Sequence, residues 1–389
     1  MPIRVALIGL SASATTSWAS AAHLPYLLSP PGRAKFTIVA LLNSSVDAAS
    51  AAIAHYNLPP STTPYGSPDA LAADPNVDLV VGNTRVDTHF PTIHPSVVAG
   101  KDVFGEWPLT QNAQQARTLV EAARTAGGRS IVGLQGRISP VANKLREVLR
   151  AGRIGKVLSS EVRAFGGMND REILPRGFEY FTQRDIGGNI YTIGFAHVND
   201  LVQSVIGEWA TEPVKSETAR GHFQLQRPTV RIRGPDGKFI STITSDVPDL
   251  INVVGPVAGP DYVAEGATLN FRLRRGQQFP GDPALVWSIN GEEGEIRVTS
   301  PAAVMSISIG NDVSPPTIEV HDFKSDTVET IEWVWADWQK SLPPPARNIG
   351  QLYEEYAEGL KGGKESYPTF ADGLARQEQS ERFLEHWSA

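Results

Sequence analysis

The stretch GLSASATTSWASAAHLPYL, Gly9 to Leu27, directly follows the apolar run IRVALI. A strand that breaks at a glycine and passes into a helix is a place where backbone N–H groups can cradle a pyrophosphate. The usual Gly-x-Gly-x-x-Gly spacing is thinned here: Gly9 is present, while Ser11 and Ala14 stand at the other two glycine positions. Small residues still allow close approach of a ligand, and Ser11, Ser13 and Thr15 add hydroxyls able to meet phosphate oxygens. Gly9, Leu10, Ser11 and Ser13 are therefore the first cofactor-binding candidates. On these residues alone the turn reads either as a nucleotide cradle or as an ordinary strand–helix turn. The end of the second apolar run reads Asn43-Ser44-Ser45, with no carboxylate before Asp47. An acidic residue there would bind a ribose 2′-hydroxyl and repel a 2′-phosphate. Its absence admits NADP as well as NAD, and no arginine beside it favours NADP, so Asn43 and Ser44 join the candidates.

Other chemistries are excluded or unsupported. There is no cysteine, so disulfides, thiolate metal sites and cysteine nucleophiles are excluded. His89 and His94 lack an acidic partner at a telling spacing, which predicts no metal site. No Gly-x-Ser-x-Gly elbow is present, against a serine hydrolase.

The elements that must position such a turn are legible. Residues 3–8 (IRVALI), 36–42 (FTIVALL), 77–82 (VDLVVG) and 102–105 (DVFG) read as buried strands. Helix-like segments separate them: SVDAASAAIAHY, SPDALAAD, and NAQQARTLVEAARTAGG, bracketed by Asn112 and Gly127-Gly128. This alternation predicts a doubly wound parallel sheet through residue 135. Beyond it, PVANKLREVLRAG reads as an amphipathic helix and VLSSEVRAF as a strand. ATLNFRLRRG alternates Leu269, Phe271 and Leu273 with Asn270, Arg272 and Arg274, and LVWSINGEEGEIRVTS reads as a hairpin. Such patterning predicts a large antiparallel sheet with one wet face. The segment around Trp333, Trp335 and Trp338 reads as a strand packed on the body or as a ligand or partner surface, and the tail from Ile349 as helices. The expected architecture is α/β: a dinucleotide-binding domain over residues 1–135, then an α+β domain over 136–389 for substrate and oligomerisation.

Composition sets bounds. With 389 residues, 41% hydrophobic and 20% charged, the chain reads as a globular protein of two domains. A net charge of −7 without a dense basic run predicts no direct nucleic-acid binding. No apolar run approaches the roughly 20 residues of a membrane span, and no signal pattern opens the chain. A cytoplasmic location, shared with the nucleus, is the expectation.

Three stretches together resemble the glucose–fructose oxidoreductase / inositol dehydrogenase (Gfo/Idh/MocA) family: DPNVDLVVGNTRVDTHFPTIHPSVVAGKDVFGEWPLT, GRISPVANKLREVLRAGRIGKVLSSEVRAF and GGNIYTIGFAHVNDL. Trp18-Ala19, His23-x-Pro25, GEWPL, GLQGRISP and VPDLINVVGPVAG resemble its fungal branch, which includes a galactose-pathway repressor. The resemblance implies a Rossmann domain joined to an open mixed sheet, NAD or NADP at the strand ends, a small-molecule substrate, and a homo-dimer or tetramer built through the sheet's outer face. It also implies cofactor contacts from Asn83, His89, Glu106 and Trp107.

The same resemblance marks two departures. The family's Glu-Lys-Pro reads Glu106-Trp107-Pro108. A lysine ammonium can polarise a substrate oxygen and move its proton, whereas an indole offers only an N–H donor and a flat face. The family's Asp, four residues before its His, is Ile193, while His197 keeps the His position. His197 is the remaining titrating group of the pair, or else a core histidine. Tyr191 and Asp185 are further candidates for the missing proton path, as are His89, His94 and Tyr180. Two functions follow: an NAD(P)-dependent oxidoreductase on a hydroxyl- or carbonyl-bearing sugar, polyol or secondary metabolite, including a redox-neutral variant, or an NAD(P)-sensing regulator with a protein partner.

Overall fold

The computed structural model describes residues 1–14, 17–166, 170–210, 218–301, 305, 310–363 and 365–389. Thr15 of the candidate turn lies outside them. The chain divides into two compact units. The first comprises Met1–Gln135, Asp185–Gly188 and Ala336–Gln379; the second comprises Gly136–Arg184, Asn189–Trp335 and Ser380–Ala389.

In the first unit, β1 (Ile3–Ile8), β2 (Phe36–Leu42), β3 (Thr63–Tyr65), β4 (Leu79–Gly82), β5 (Asp102–Gly105) and β6 (Ser130–Val132) form one parallel sheet. Its order is β3-β2-β1-β4-β5-β6, the doubly wound arrangement that the alternation predicts. The runs are apolar without alternation because both faces are covered; Val5, Ala6 and Leu7 are fully buried. The helices are delimited by local chemistry. Ser45 Oγ accepts from Ala48 N at the start of α3 (Val46–His55), which follows α1 (Leu24–Leu28) and α2 (Pro30–Lys35). After α4 (Pro68–Ala72) and α5 (Val86–Val98) comes α6 (Ala113–Ala126), opened by the Asn112 side chain and closed by Gly127 at φ 78°. Each such cap contributes about 1 kcal/mol.

Arg4 ties the start of β1 to Asp78. Its main-chain N, Nε and Nη2 donate to the Asp78 carboxylate at 2.8, 3.0 and 2.6 Å. The guanidinium holds the Asp78 carboxyl below its usual range. A depressed folded-state pKa gives stability that is present above the unfolded value of about 3.9 and lost as pH falls through the folded one. Asp78→Asn is therefore expected to lower neutral-pH stability by less than about 1 kcal/mol, since the pair is partly exposed. Thermal melts of the two proteins from pH 7 downward should converge in acid.

In the second unit, α7 (Pro140–Arg150) follows the cap residue Ser139 and buries Val141, Leu145, Val148 and Leu149. Twelve further strands build two sheets. They are β7 (Val157–Gly166), β8 (Ile173–Pro175), β9 (Glu208–Trp209), β10 (Arg220–Gln224), β11 (Thr229–Arg233), β12 (Phe239–Thr244), β13 (Leu250–Ala258), β14 (Val263–Arg275), β15 (Leu285–Gly291), β16 (Gly294–Ser300), β17 (Thr317–Asp322) and β18 (Thr327–Thr330). The larger, nine-stranded sheet runs β10-β13-β14-β7-β15-β16-β17-β18, with β9 on β13; only the β14–β7 pair is parallel. Leu269, Phe271 and Leu273 are buried, while Asn270 and Arg272 face water, as the alternation predicts. The smaller sheet is β12-β11-β8. The tryptophan segment departs from the strand expectation. Pairing stops at β18, and after Ile331 N donates to Ile318 O the chain runs without regular structure to Ala336.

Candidate functional site

The winding of the parallel sheet reverses between β1 and β4, and a ligand crevice is expected outside the C-terminal ends of those strands. Gly9 and Asn83 follow those two ends. Gly9 has φ 87°, and a Cβ there would stand 2.8 Å from Asn83 O and 3.0 Å from Thr84 Cγ2. Only glycine allows this close passage. Gly9 N donates to Leu42 O at 3.0 Å and Asn83 N to Ile8 O at 3.1 Å, so both turns are fixed to the sheet.

The thinned turn is braced by side chains. Asn43 Nδ2 donates to Leu10 O (2.9 Å), and Tyr56 Oη donates to Ser11 O (3.0 Å). Leu10 is fully buried beneath it. Ser13 N donates to Ser11 Oγ at 3.2 Å, and the two hydroxyls lie 3.4 Å apart. Ser13 and Ser44 are exposed at the rim. Asn43 thus acts on the turn through its amide nitrogen.

Beside this turn, both amide atoms of Asn83, the Thr84 hydroxyl and the Trp18 indole nitrogen are buried with no hydrogen-bond partner among the described residues. An unmet buried polar group costs about 1–3 kcal/mol, and such groups ordinarily find partners. Polar atoms left unmet at a strand-end crevice, beside a glycine that admits close approach, fit a dinucleotide that completes their bonds.

One strand further on, Glu106 and Trp107 follow β5. Glu106 is buried, and its Oε1 lies 2.7 Å from His23 Nε2. His23 Nδ1 lies 2.8 Å from the Tyr353 hydroxyl. With Nε2–H donating to the carboxylate, Nδ1 accepts from Tyr353, and all three groups are satisfied. Burial, helped by the Glu106 charge, pushes the Tyr353 hydroxyl well above its ordinary pKa. A Cβ at Gly133 would collide with the Glu106 carboxylate, so that glycine makes its space. Glu106 is thus engaged inward. Trp107 is buried, and the peptide joining it to Pro108 is cis.

His89 links the β4 and β5 turns. Its Nδ1 lies 2.9 Å from Pro108 O and its Nε2 2.8 Å from Thr84 O. Burial pushes its imidazole pKa down. Asp185 belongs to the same unit, where its carbonyl accepts from Gln111 Nε2 (2.9 Å) and its carboxylate is exposed. All ten cofactor candidates therefore sit at consecutive strand ends of one sheet or on the helix behind them.

His197 and Tyr191 lie in the second unit. Asn189 opens a π-helical stretch over Ile190–Phe195, which carries Ile193 and leads into α8 (Ala196–Ile206), where His197 is the second residue and buried. Tyr191 stacks on Phe195 with centroids 5.3 Å apart, and its hydroxyl donates to Ser380 O (2.7 Å). Burial raises its pKa, so its proton is held by a main-chain carbonyl. The sequence reading did not single out Asp200, one turn beyond His197 on α8. It is buried and takes a bidentate contact from Arg137, Nε to Oδ2 at 3.0 Å and Nη2 to Oδ1 at 2.5 Å. Arg137 belongs to the quoted stretch GRISP, so a basic residue there was the available signal. This pair fixes the rotation of the helix that carries His197. Among the described residues no group of three or more His, Asp or Glu is placed to hold a metal ion, and no helix is long and apolar enough to cross a membrane.

Residues 3–134 match the oxidoreductase family with an NAD-binding Rossmann fold, and residues 140–300 match the C-terminal domain of Gal80p. The chain thus carries a Gfo/Idh/MocA-type NAD-binding domain followed by a Gal80p-like domain. It is 28% identical over 327 residues to the dehydrogenase aclE of Aspergillus oryzae, covering 84% of this chain and 83% of that protein. It is also 28% identical over 321 residues to the galactose/lactose metabolism regulatory protein GAL80 of Saccharomyces cerevisiae, covering 79% and 69%. A solved super-repressor mutant of Gal80p from that yeast shares the fold at a TM-score of 0.83, with 20% identity over 99% of this chain and 96% of that one. The chain thus has an NAD-binding oxidoreductase fold, with both a dehydrogenase and a regulator among its relatives.

Proposed function

We propose that the protein is an NAD(P)-dependent oxidoreductase that acts on a small hydroxyl- or carbonyl-bearing molecule with an altered proton-transfer set. The observation that carries the cofactor half is the cluster of unmet polar atoms on Asn83 and Thr84 beside the Gly9 passage. The aclE dehydrogenase, similar over most of both chains, supports turnover. Bound NAD(P) supplies the two-electron chemistry. Gly9, Leu10, Ser11 and Ser13 line the pyrophosphate side, Asn83 and Thr84 meet polar edges of the dinucleotide, and Trp107 offers an aromatic wall. With no carboxylate between Leu42 and Asp47, NAD and NADP are both accepted.

His197 takes the substrate hydroxyl proton in oxidation or returns it in reduction. Removing a positioned acid–base group typically costs about 10²–10⁴-fold in rate. His197→Ala is expected to lose turnover on that scale and to bind NADH within about twofold of wild type. Full activity in that variant would remove His197 from the chemistry. In this reading the wet face of the nine-stranded sheet joins copies into a dimer or tetramer, and the protein works in the cytoplasm or nucleus.

A second reading, a dinucleotide-sensing regulator that binds a protein partner, is favoured by Trp107 where the family's enzymes carry lysine and by the similarity to GAL80. Incubation with NADH and NADPH deuterated at nicotinamide C4, together with a metabolite mixture, separates the two. Deuterium appearing in a small molecule supports the enzyme and identifies its substrate. Label retained on a tightly bound cofactor supports the regulator.

A further inference from the structure

Strands at sheet ends expose unpaired main-chain groups, and proteins ordinarily blunt them with proline, charge or a cover. Most of the end strands here follow that rule. Pro64 lies in β3 and Pro175 ends β8. Arg220, Gly221 and His222 lie in β10, Glu208 opens β9, and Glu329 of β18 is paired with Arg153 at 2.5 Å. β6 is covered, because Val132 N donates to Pro368 O at 2.9 Å. Among the described residues β12 has only a bulge at Ile240, between the pairs Ser241–Ile232 and Phe239–Arg233. Its sequence FISTIT holds no charge, proline or glycine and is all aromatic, β-branched or serine. Phe239 and Ile240 are 55% and 48% exposed.

The outer edge of β12 is shaped for a partner strand. Ser245 N donates to Pro228 O (2.7 Å), and the register sets Ile243 against Val230 and Ser241 against Ile232. Main-chain groups alternate in direction along an antiparallel pair, so those of Thr242 and Thr244 face away from β11. The inner side chains are anchored: Ile243 packs on the cluster of Leu174, Val230 and Ile232. The strand's ends are oppositely charged and exposed: Lys238, just before it, lies 3.4 Å from Asp236 of its own turn, and Asp246, two residues after it, accepts from Arg184 N at 2.7 Å through Oδ1 and donates its N–H to Thr182 O at 3.1 Å.

We propose that β12 is a self-association edge, which pairs antiparallel with β12 of a second copy about a two-fold axis. That arrangement turns each Lys238 toward the other copy's Asp246, while parallel pairing would set like charges together. The uncharged strand between them is compatible with itself in either register. Six residues of strand bury less than the roughly 1,000 Å² of a lasting interface, so the contact is reversible and concentration-dependent. It is distinct from association through the nine-stranded sheet.

Sedimentation velocity over the micromolar to near-millimolar range tests this on the whole chain, with wild type, Thr242→Lys, Thr242→Glu and an equimolar mixture of the two variants. Residue 242 lies near the two-fold axis, so like charges meet in either variant alone and opposite charges meet in the mixture. Wild type should show a concentration-dependent step that each variant shifts to at least about tenfold higher concentration. The mixture should restore it. Amide exchange at Thr242 and Thr244 should slow as wild-type concentration rises. Association of a variant that equals wild type, a wild type with no such step, or a mixture no better than its components would overturn the proposal. The last result would indicate a different strand as occupant. Thr242 is exposed at the edge, and melting curves of the variants confirm folding.

Discussion

Gly9→Val is expected to weaken NADH binding by at least about 100-fold and to destabilise the fold by about 2–3 kcal/mol. Two effects combine at this residue. A β-branched side chain is strained at φ 87°, and its Cβ would meet Asn83 O at 2.8 Å. The displaced turn is the one packed against Asn83 and Thr84, whose unmet atoms the dinucleotide is proposed to reach, so the loss falls on affinity as well as stability. Gly127→Ala isolates the backbone part. Gly127 has a similar φ of 78°, and nothing lies within 4 Å of where its Cβ would be. It should cost about 1 kcal/mol and leave NADH binding alone. Fluorescence titration with NADH and denaturant unfolding of both variants give the comparison. NADH affinity within twofold of wild type in Gly9→Val would place the dinucleotide elsewhere.

His23→Leu should be the most destabilising single change near the site, by about 3–5 kcal/mol, because it leaves the Glu106 carboxylate buried and unpaired. Tyr353→Phe removes only the hydroxyl bonded to Nδ1, at a cost of about 1–3 kcal/mol. The double variant His23→Leu/Glu106→Met removes the buried carboxylate together with its partner and should be more stable than His23→Leu alone, since apolar replacement of a buried polar pair is often near neutral. Urea unfolding of the three variants measures this. A double variant less stable than His23→Leu would mean that Glu106 has other essential bonds.

Much of the first sheet is readable because its strands obey a simple rule. Runs such as IRVALI and FTIVALL, buried on both faces, coincide with β1 and β2 residue for residue. α5 did not announce itself, because Pro91 and Pro95 lie inside it and proline penalises helix interiors by about 3 kcal/mol. Packing overrides that penalty: Val86, His89, Ile93 and Val97 are buried at helical spacing. In the segment from Ile331 to Ala336 the alternation of half-buried and exposed residues is real. It reads as a strand, yet no neighbour among the described residues completes the ladder, and the Trp333 indole N–H donates to Pro316 O instead. The hairpin β11–β12 carried a legible sign in Pro235-Asp236-Gly237, with Gly237 at φ 76°.

The site shows the same division. Gly9 and the hydroxyl-rich turn are visible in sequence because they are local. The inward engagement of Glu106 depends on His23 and Tyr353, which stand 83 and 247 residues away along the chain. No local pattern reports such a contact. The binding of Asp200 to Arg137 is invisible for the same reason, although each residue lies in a stretch that resembles the family.

Tyr353 lies on the helix Pro344–Gly359, which belongs to the same unit as β1. The order of synthesis therefore differs from the order of completion. A ribosome that has released residues 1–135 has delivered every strand of the parallel sheet, but His23 still waits for its hydroxyl partner. The second unit's sheets are made in between. The nucleotide-binding unit is the first to begin and is sealed only when translation is nearly finished, so a nascent chain arrested between the release of residue 135 and the synthesis of residue 353 leaves the His23–Glu106 pair without its hydroxyl partner.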